Sequence, residues 1–396
     1  MGCSDRSWTV REPRASSVRT DGGTVDILAP DDASRPLVRG VIAVGANHTC
    51  AIAADRSLRC WGSNRAGQLG DGTTTDRPTP TVVPGLLNVR AVAAAQQQNT
   101  CALLADGSMY CWGDNAWGQI GDGTVGDRTI PGAAARPVPA RVASLANIIE
   151  IALCAQTACA LLADHTIRCW GRNNSGAVGD GTTVDRPTPV AVVGVTNAMA
   201  IAGGLNHFCA VLLDGAIRCW GANESGELGD GTTIDRAVPV PVSGIVAAQA
   251  VGCSESFSCA LGIDGSVQCW GLNQSGQLGD GTLVRRTVPV PVPGVRAITV
   301  RVGLSSSWAV AENRSVVGWG NNRFGQLGDG TTSDHLIPTL SPRITPDLVE
   351  LAGGAHSCVM RNDGHPWCWG FNENGELGTG TTSTTPVLEP VPVIWN

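Results

Sequence analysis

A Trp-Gly step, followed by an asparagine-type position and a glycine-studded loop, returns seven times in this chain. The copies are Trp61-Gly62, Trp112-Gly113, Trp170-Gly171, Trp220-Gly221, Trp270-Gly271, Trp319-Gly320 and Trp369-Gly370. Successive copies stand 51, 58, 50, 50, 49 and 50 residues apart. A near-constant period of this size marks a repeat array, in which a unit buries its apolar face only against its neighbours. It overrides the expectation of two or three domains that 396 residues would otherwise carry.

One unit divides into four strand-like pieces. In the first copy they are Val41-Ile42-Ala43-Val44-Gly45, then Thr49–Ala53, then Ser57–Trp61 and, after the Gly-rich connection, Pro80–Val83. Short runs rich in β-branched residues, turn signals between them and no helical period give an all-β reading. Four antiparallel strands per unit and seven units predict a seven-bladed β-propeller over residues 37–396. Residues 1–36 are polar and outside the repeat, a tail or tether with one short strand over 24–28. The link between the third and fourth strands is the longest, about sixteen residues. Its length suggests a crossing to the next blade, so that Pro386–Val393 would complete the blade begun by Val41–Trp61 and close the ring. The other possibility is that each unit is one whole blade.

Six cysteine pairs stand ten residues apart: Cys50 and Cys60, Cys101 and Cys111, Cys159 and Cys169, Cys209 and Cys219, Cys259 and Cys269, Cys358 and Cys368. In the remaining unit both positions change together, to Trp308 and Gly318. Joint absence is what a bonded pair predicts. Between the partners lies a hairpin signal such as Ala105-Asp106-Gly107, whose third loop position wants glycine. Counting back from Leu104 and Ser108 by alternation places Cys101 opposite Cys111, close enough for a disulfide. Arg56, His165 and Arg314 replace that glycine in three units. Zinc sites want tighter Cys/His clusters; reduced core cysteine is the other alternative. Disulfides imply an oxidising compartment. Cys3, Cys154 and Cys253 are left over.

The net charge is −7, and every one of the 27 Lys-or-Arg residues is Arg. A chain of that balance lacks the basic footprint of a nucleic-acid binder. Ala/Arg/Gly-rich, Lys-free usage points to a GC-rich bacterial genome. No apolar run reaches the roughly 18 residues of a membrane span. Met1-Gly2-Cys3-Ser4-Asp5 resembles the end of a bacterial lipoprotein signal, with Cys3 as the lipidated residue and its apolar part upstream of this chain. An arbitrary N-terminus explains the same letters. N-myristoylation fits poorly, because Arg6 stands where Ser or Thr is wanted.

The pattern Trp-Gly-x-Asn-x-x-Gly-Gln-Leu-Gly-x-Gly, preceded by Gly45-Ala46-Asn47-His48-Thr49-Cys50-Ala51, resembles the regulator of chromosome condensation repeat family. The resemblance spans about Val38 to Val393 and implies a seven-bladed propeller. Its functional implications diverge: a nucleotide-exchange factor for a nuclear GTPase, a plant ultraviolet photoreceptor and a secreted β-lactamase inhibitor all use this repeat. Fold does not transfer chemistry. The photoreceptor's Gly-Trp-Arg-His-Thr signature is absent.

Residues that recur with the repeat read as architecture rather than chemistry. These are His48, His207 and His356, the Asp-Gly steps at Asp71, Asp122, Asp180, Asp230, Asp280 and Asp329, and the seven Trp. The Asp residues suit turns as well as calcium. Gly121–Gly126 matches a dinucleotide fingerprint by letter but sits in the repeat loop with no helix after it. The sequons at Asn47, Asn173, Asn223, Asn273 and Asn313 matter only in a eukaryotic secretory route. No nucleophile or acid/base constellation stands apart from the repeat, so neither catalysis nor a cofactor or metal is expected.

What varies between copies is more informative. The two positions before the loop glycine read Arg65 with Ala66, Ala116 with Trp117, Asn174 with Ser175, Glu224 with Ser225, Gln274 with Ser275, Arg323 with Phe324 and Glu373 with Asn374. If every loop leaves its blade on the same side, these side chains form a ring, with Trp117, Arg323 and Phe324 as aromatic and Arg anchors. Relaxed surface positions are the plainer account of any one of them. The unit between the second and third Trp-Gly steps is eight residues longer, and its insert around Gly126–Ala140 carries Arg128 and Arg136 as a second contact candidate. The expectation is a monomeric, non-enzymatic propeller that binds another protein, exported or surface-attached in a bacterium. Membrane contact would come only through a lipid at Cys3. A cytosolic regulator of a small GTPase and a secreted enzyme inhibitor are the alternatives.

Overall fold

The computed structural model describes residues 40–127, 129–130, 132–142 and 144–395. The tail over 1–36, its strand over 24–28, Cys3 and Arg128 lie outside the described residues. The rest is seven four-stranded antiparallel sheets, each with its strands in chain order. First strands of successive blades touch one another in a closed cycle, with Ile42–Val44 of blade 1 meeting Leu348–Gly353 of blade 7. They therefore surround the propeller axis, and the fourth strands form the rim. Among the described residues no helix is long and apolar enough to cross a membrane.

Blade 4 shows why these residues make these strands. His207–Leu212, the second strand, is buried at every position because blades press on both of its faces. In Ile217–Gly221 the inward Ile217 and Cys219 are buried while Arg218 between them is half-buried, the period of two that a strand imposes. The rim strand Arg236–Pro241 is an open edge, and Pro239 and Pro241 withdraw donors from it. Every rim strand carries at least one proline.

Each repeat unit is one whole blade, and the strand exchange considered from loop length does not occur. Ser383–Pro392 pairs with Pro366–Asn372 of its own blade, as Arg77–Val82 pairs with Leu58–Gly62. The long link does reach the next blade, but it returns. Asn64 folds it back: its Oδ1 accepts the Leu69 amide at 2.9 Å. Its Nδ2 donates to Asp71 Oδ1 and to the carbonyls of Thr73 and Thr75, each at 3.1 Å. Both ends of the loop are thus tied to one buried amide, and the fourth strand starts beside the third.

What crosses between blades is a side chain. The Trp112 indole N–H donates to the Gln68 carbonyl in the loop of blade 1, at 2.9 Å. The same bond joins Trp170 to Gln119, Trp220 to Ala177, Trp270 to Glu227, Trp319 to Gln277 and Trp369 to Gln326, at 2.8–3.0 Å. Trp61 closes the ring by donating to Glu376 of blade 7 at 2.7 Å. All seven indoles are fully buried. Burial of a side chain this large contributes roughly 4–6 kcal/mol by area. The last junction has an additional tie: the buried Glu350 carboxylate accepts the amides of Gly40, Val41 and Ile42, capping the first strand of blade 1.

All six expected disulfides are present. Cys50 is bonded to Cys60, Cys101 to Cys111, Cys159 to Cys169, Cys209 to Cys219, Cys259 to Cys269 and Cys358 to Cys368, with Cα atoms 4.1 Å apart in each. Reduced core cysteine is thereby set aside at these twelve positions, all of them buried. Cys101 faces Cys111 directly, and Leu104 accepts and donates across the hairpin end as alternation requires. Arg56, His165 and Arg314 hold the same turn with φ of 64°, so the loop tolerates the missing glycine. Each bridge closes a short loop, which removes roughly 2–3 kcal/mol of unfolded-chain entropy. In blade 6 Trp308 faces Gly318, and its buried indole fills the space as far as Gly353 of blade 7.

Gly279 and Gly294 separate the loop's backbone demand from its packing demand. Both have positive φ, 69° and 74°; a Cβ on Gly294 would meet nothing within 4 Å, whereas one on Gly279 would lie 2.8 Å from the Trp319 indole. Gly294→Ala should cost about 1–2 kcal/mol, the left-handed backbone penalty alone. Gly279→Ala should cost at least about 2 kcal/mol more, because the indole must leave the Gln277 carbonyl. Urea unfolding midpoints of the two variants compare these directly; equal midpoints would contradict the packing.

Candidate functional site

The turns between first and second strands and the long loops lie at the same end of the propeller. They are joined in every blade by a backbone bond, such as Ser63 N–H to the Asn47 carbonyl and Arg172 N–H to the Gln156 carbonyl. The disulfide-closed hairpins occupy the opposite end, beside the links between blades. All seven variable loop positions thus fall on one end, as the ring requires.

Each loop is rigid from the inside. Asp71 Oδ1 accepts the Thr73 amide and hydroxyl, and Oδ2 accepts Arg77 at 2.8 Å. Burial alone would raise the Asp71 pKa, but bonds from Thr73 and Arg77 outweigh it and hold it below the usual value. Asp180, Asp230 and Asp280 repeat the pair with Arg186, Arg236 and Arg286, and Asp329 uses His335. Both oxygens of these carboxylates are engaged by the loop, which accounts for them as turn residues. Asn173, Asn223 and Asn273 are buried and bonded as Asn64 is, so their sequons are closed; Asn47 and Asn313 are exposed.

On this frame the first variable position is exposed in Arg65, Asn174, Glu224, Gln274, Arg323 and Glu373. The second is half-buried in six copies and buried in Ala66, and the amides of Trp117 and Phe324 donate back to the side chains of Gln119 and Gln326. The two aromatic anchors are held by residues that the variable pairs did not include. The Arg172 guanidinium lies 4.4 Å from the Trp117 ring centroid and donates to Gln156 Oε1 at 2.7 Å. Phe371 meets Phe324 edge-on at 5.1 Å, and the Arg323 guanidinium lies 4.9 Å from the Phe324 ring centroid. Arg172 and Phe371 occupy the x of Trp-Gly-x-Asn in the following blade, a third position that differs between copies. Arg136 belongs to the rim strand Ala135–Arg141, and its guanidinium donates to the Ala133 and Ala135 carbonyls. The insert before it folds over its own blade, with Gly126 N–H on the Asn115 carbonyl and Ile130 exposed.

The recurring histidines bind blades together. His48 Nε2 meets Thr100 Oγ1 at 2.9 Å, and that hydroxyl donates to the same Gln68 carbonyl that takes Trp112. His207 and His356 repeat this on Ser258 and Thr49. Burial lowers their pKa to about 4 for His48 and about 3 for His207 and His356, so all three are neutral. Glu227, where most loops have Gln, is raised to about 7 by burial. Turns at the axis also meet: Gln96 of blade 2 donates to Ser254 of blade 5 at 3.1 Å. At the opposite end a shallow groove in blade 5 lies beside Val246 and Ile263, and among the described residues Asp264 is the one titratable side chain lining it.

These shifts fix an acid dependence. The unfolded chain protonates the three histidines as pH falls below about 6.5, while the folded chain does not until about 3–4. Stability present above pH 6.5 should therefore fall steadily toward pH 4. Glu227 acts oppositely, retaining its proton when folded from its ordinary 4.5 up to about 7, so stability from it is lost as pH rises through 7. His207→Phe, the residue that blade 5 has in the same place as Phe257, should flatten the acid limb in urea melts. Glu227→Gln should remove the loss that accompanies the approach to pH 7 from below. An unchanged acid slope in His207→Phe would contradict the assignment.

Comparison with known proteins agrees with this architecture. The yeast RCC1 protein Prp20 in its complex with Kap60 superposes with a TM-score of 0.74 at 20% identity, over 96% of this chain and 90% of that one. Human WBSCR16 gives 0.71 at 23% identity, over 81% and 85%. At these identities the likeness concerns fold alone. In sequence, the ultraviolet-B receptor UVR8 of Arabidopsis thaliana is 30% identical over 163 residues, 40% of this chain and 36% of that protein. The E3 ubiquitin-protein ligase HERC2 of Mus musculus is 27% identical over 146 residues, 36% of this chain and 3% of its own length. The chain thus spans well under two thirds of these relatives. Profiles of the regulator of chromosome condensation (RCC1) repeat match residues 42–68, 89–119 and 59–102. The profile of the RCC1-like domain matches residues 132–395, and with more than half of its length inside that match the chain belongs to the RCC1-like domain family.

Proposed function

We propose that this protein is a non-catalytic scaffold that binds another protein through the loop end of the propeller, exported or surface-attached in a bacterium. The observation that carries the reading is the pair of aromatic and Arg clusters, Trp117–Arg172 and Arg323–Phe324–Phe371, on that end. Aromatic and Arg side chains on a rigid frame lose little entropy on docking and dominate interface energetics. The six disulfides support an oxidising, extracytoplasmic setting. A lipid at Cys3 is the proposed anchor.

The second reading is a cytosolic regulator of a small GTPase. It is favoured by the likeness to Prp20p of Saccharomyces cerevisiae, whose structure was described with its binding to Gsp1p and histones. Thiol state separates the two. Natively expressed protein, alkylated and mapped without reduction, should give six linked hairpin peptides; fully alkylated cysteines would favour the GTPase reading. For the binding face, Trp117→Ala/Arg323→Ala/Phe324→Ala should keep the thermal transition within a few degrees and lose at least about a hundredfold in affinity for partners captured from the host. Equal recovery of every partner by the triple variant would remove the ring from the account.

A further inference from the structure

A disulfide, a thiol and an imidazole converge between blades 4 and 5, away from the loop end's anchors. Donor atoms of His207, Cys209 and Cys253 all lie within 4.8 Å of one another, and all three residues are buried. Cys209 is bonded to Cys219, so its sulfur is not a thiolate ligand for a metal. Ser258 stands among the three. Its Oγ lies 2.9 Å from His207 Nε2, 4.0 Å from Cys209 Sγ and 3.7 Å from Cys253 Sγ. Cys253 ends the first strand of blade 5, Ala248–Cys253, and carries a thiol. The residues ending the other first strands are Val44, Ala94, Leu153, Gly203, Val302 and Gly353. No other first strand ends in a cysteine.

A thiolate exchanges with a disulfide by attacking one of its sulfurs and expelling the other. We propose that Cys253 exchanges with the Cys209–Cys219 bond, replacing a bridge inside blade 4 with one that joins blade 5 to blade 4. Cys253 loses its proton, and its Sγ attacks Cys209 Sγ. The Cys209–Cys219 bond breaks, and its electron pair leaves on Cys219, which takes up a proton. One S–S bond forms as one breaks, so no oxidant or reductant is consumed. Cys209 Sγ lies within 4.8 Å of Cys253 Sγ, so the expected product is the Cys209–Cys253 isomer. Chemically, the exchange adds a covalent tie across a junction already held by the Trp270 indole, the His207–Ser258 pair and backbone bonds such as Leu205 N–H to the Ser254 carbonyl.

The rate is set by the thiolate fraction of Cys253. Titratable groups beside it include His207, held neutral by burial, and Cys154, which donates its S–H to the His207 carbonyl at 3.0 Å. Burial, with Cys253 next to it, raises the Cys154 thiol well above its usual value. Neither group supplies a base, so exchange is slow at neutral pH and accelerates about tenfold per pH unit while the thiol stays protonated.

The oxidised full-length chain, held folded without reductant at pH 7, 8 and 9, is quenched by alkylation in acid and digested with trypsin without reduction. Cleavage after Arg218 and Arg236 places Cys209, Cys219 and Cys253 on separate peptides. The expected result is a Cys209–Cys253 linked pair with alkylated Cys219, growing with time and pH, and absent from Cys253→Ala, which retains Cys209–Cys219. Cys209–Cys219 intact beside alkylated Cys253 at every pH would overturn the proposal. So would linkage of Cys253 to Cys219, or to a second chain.

Discussion

The indole N–H of each Trp-Gly step must find an acceptor, because the ring is sealed from water and an unpaired buried donor costs about 1–3 kcal/mol. The acceptor lies in the preceding blade, at the loop residue between Gly67 and Leu69 or its counterparts. A unit therefore cannot satisfy its own tryptophan. The chain has to repeat, and the repeat has to close, since the first tryptophan needs the last loop. The same carbonyl also takes the hydroxyls of Thr49, Thr100, Ser258, Ser307 and Ser357, three of them joined by a neutral histidine.

Much of this was legible in the letters. The period set the number of blades, and alternation across the hairpin set the cysteine partners. Loop length, by contrast, reports reach and not direction. About sixteen residues suffice to cross to the next blade, and the loop does touch it, yet the buried Asn64 amide turns it back. The aromatic anchors were visible as exceptions within the motif. Their supports, Arg172 and Phe371, were not, because each belongs to the next copy and becomes a neighbour only when blades pack. Cys253 was hidden likewise: it stands 44 residues from Cys209 in sequence, and only the junction brings the two sulfurs together.

A division of labour follows. Letters shared by all or nearly all copies are spent on closure: indole, loop asparagine, turn aspartate and glycine, hairpin disulfide. Unshared letters sit on the loop end, where rigid loops hold them in fixed relation, and two of the seven junctions there carry aromatic clusters. Blade 6 shows how far the scheme tolerates exchange, since a single buried Trp308 replaces a disulfide without altering the strand register.

All seven junctions, including the one between blades 7 and 1, are closed by the same indole-to-carbonyl bond. Hydrogen exchange of the indole N–H groups in Trp-labelled protein, followed by NMR, tests it most directly. Protection of Trp61 equal to that of Trp112, Trp170, Trp220, Trp270, Trp319 and Trp369 is the predicted result. Exchange of Trp61 many-fold faster than the other six would show a ring open at its last junction, and would contradict the account.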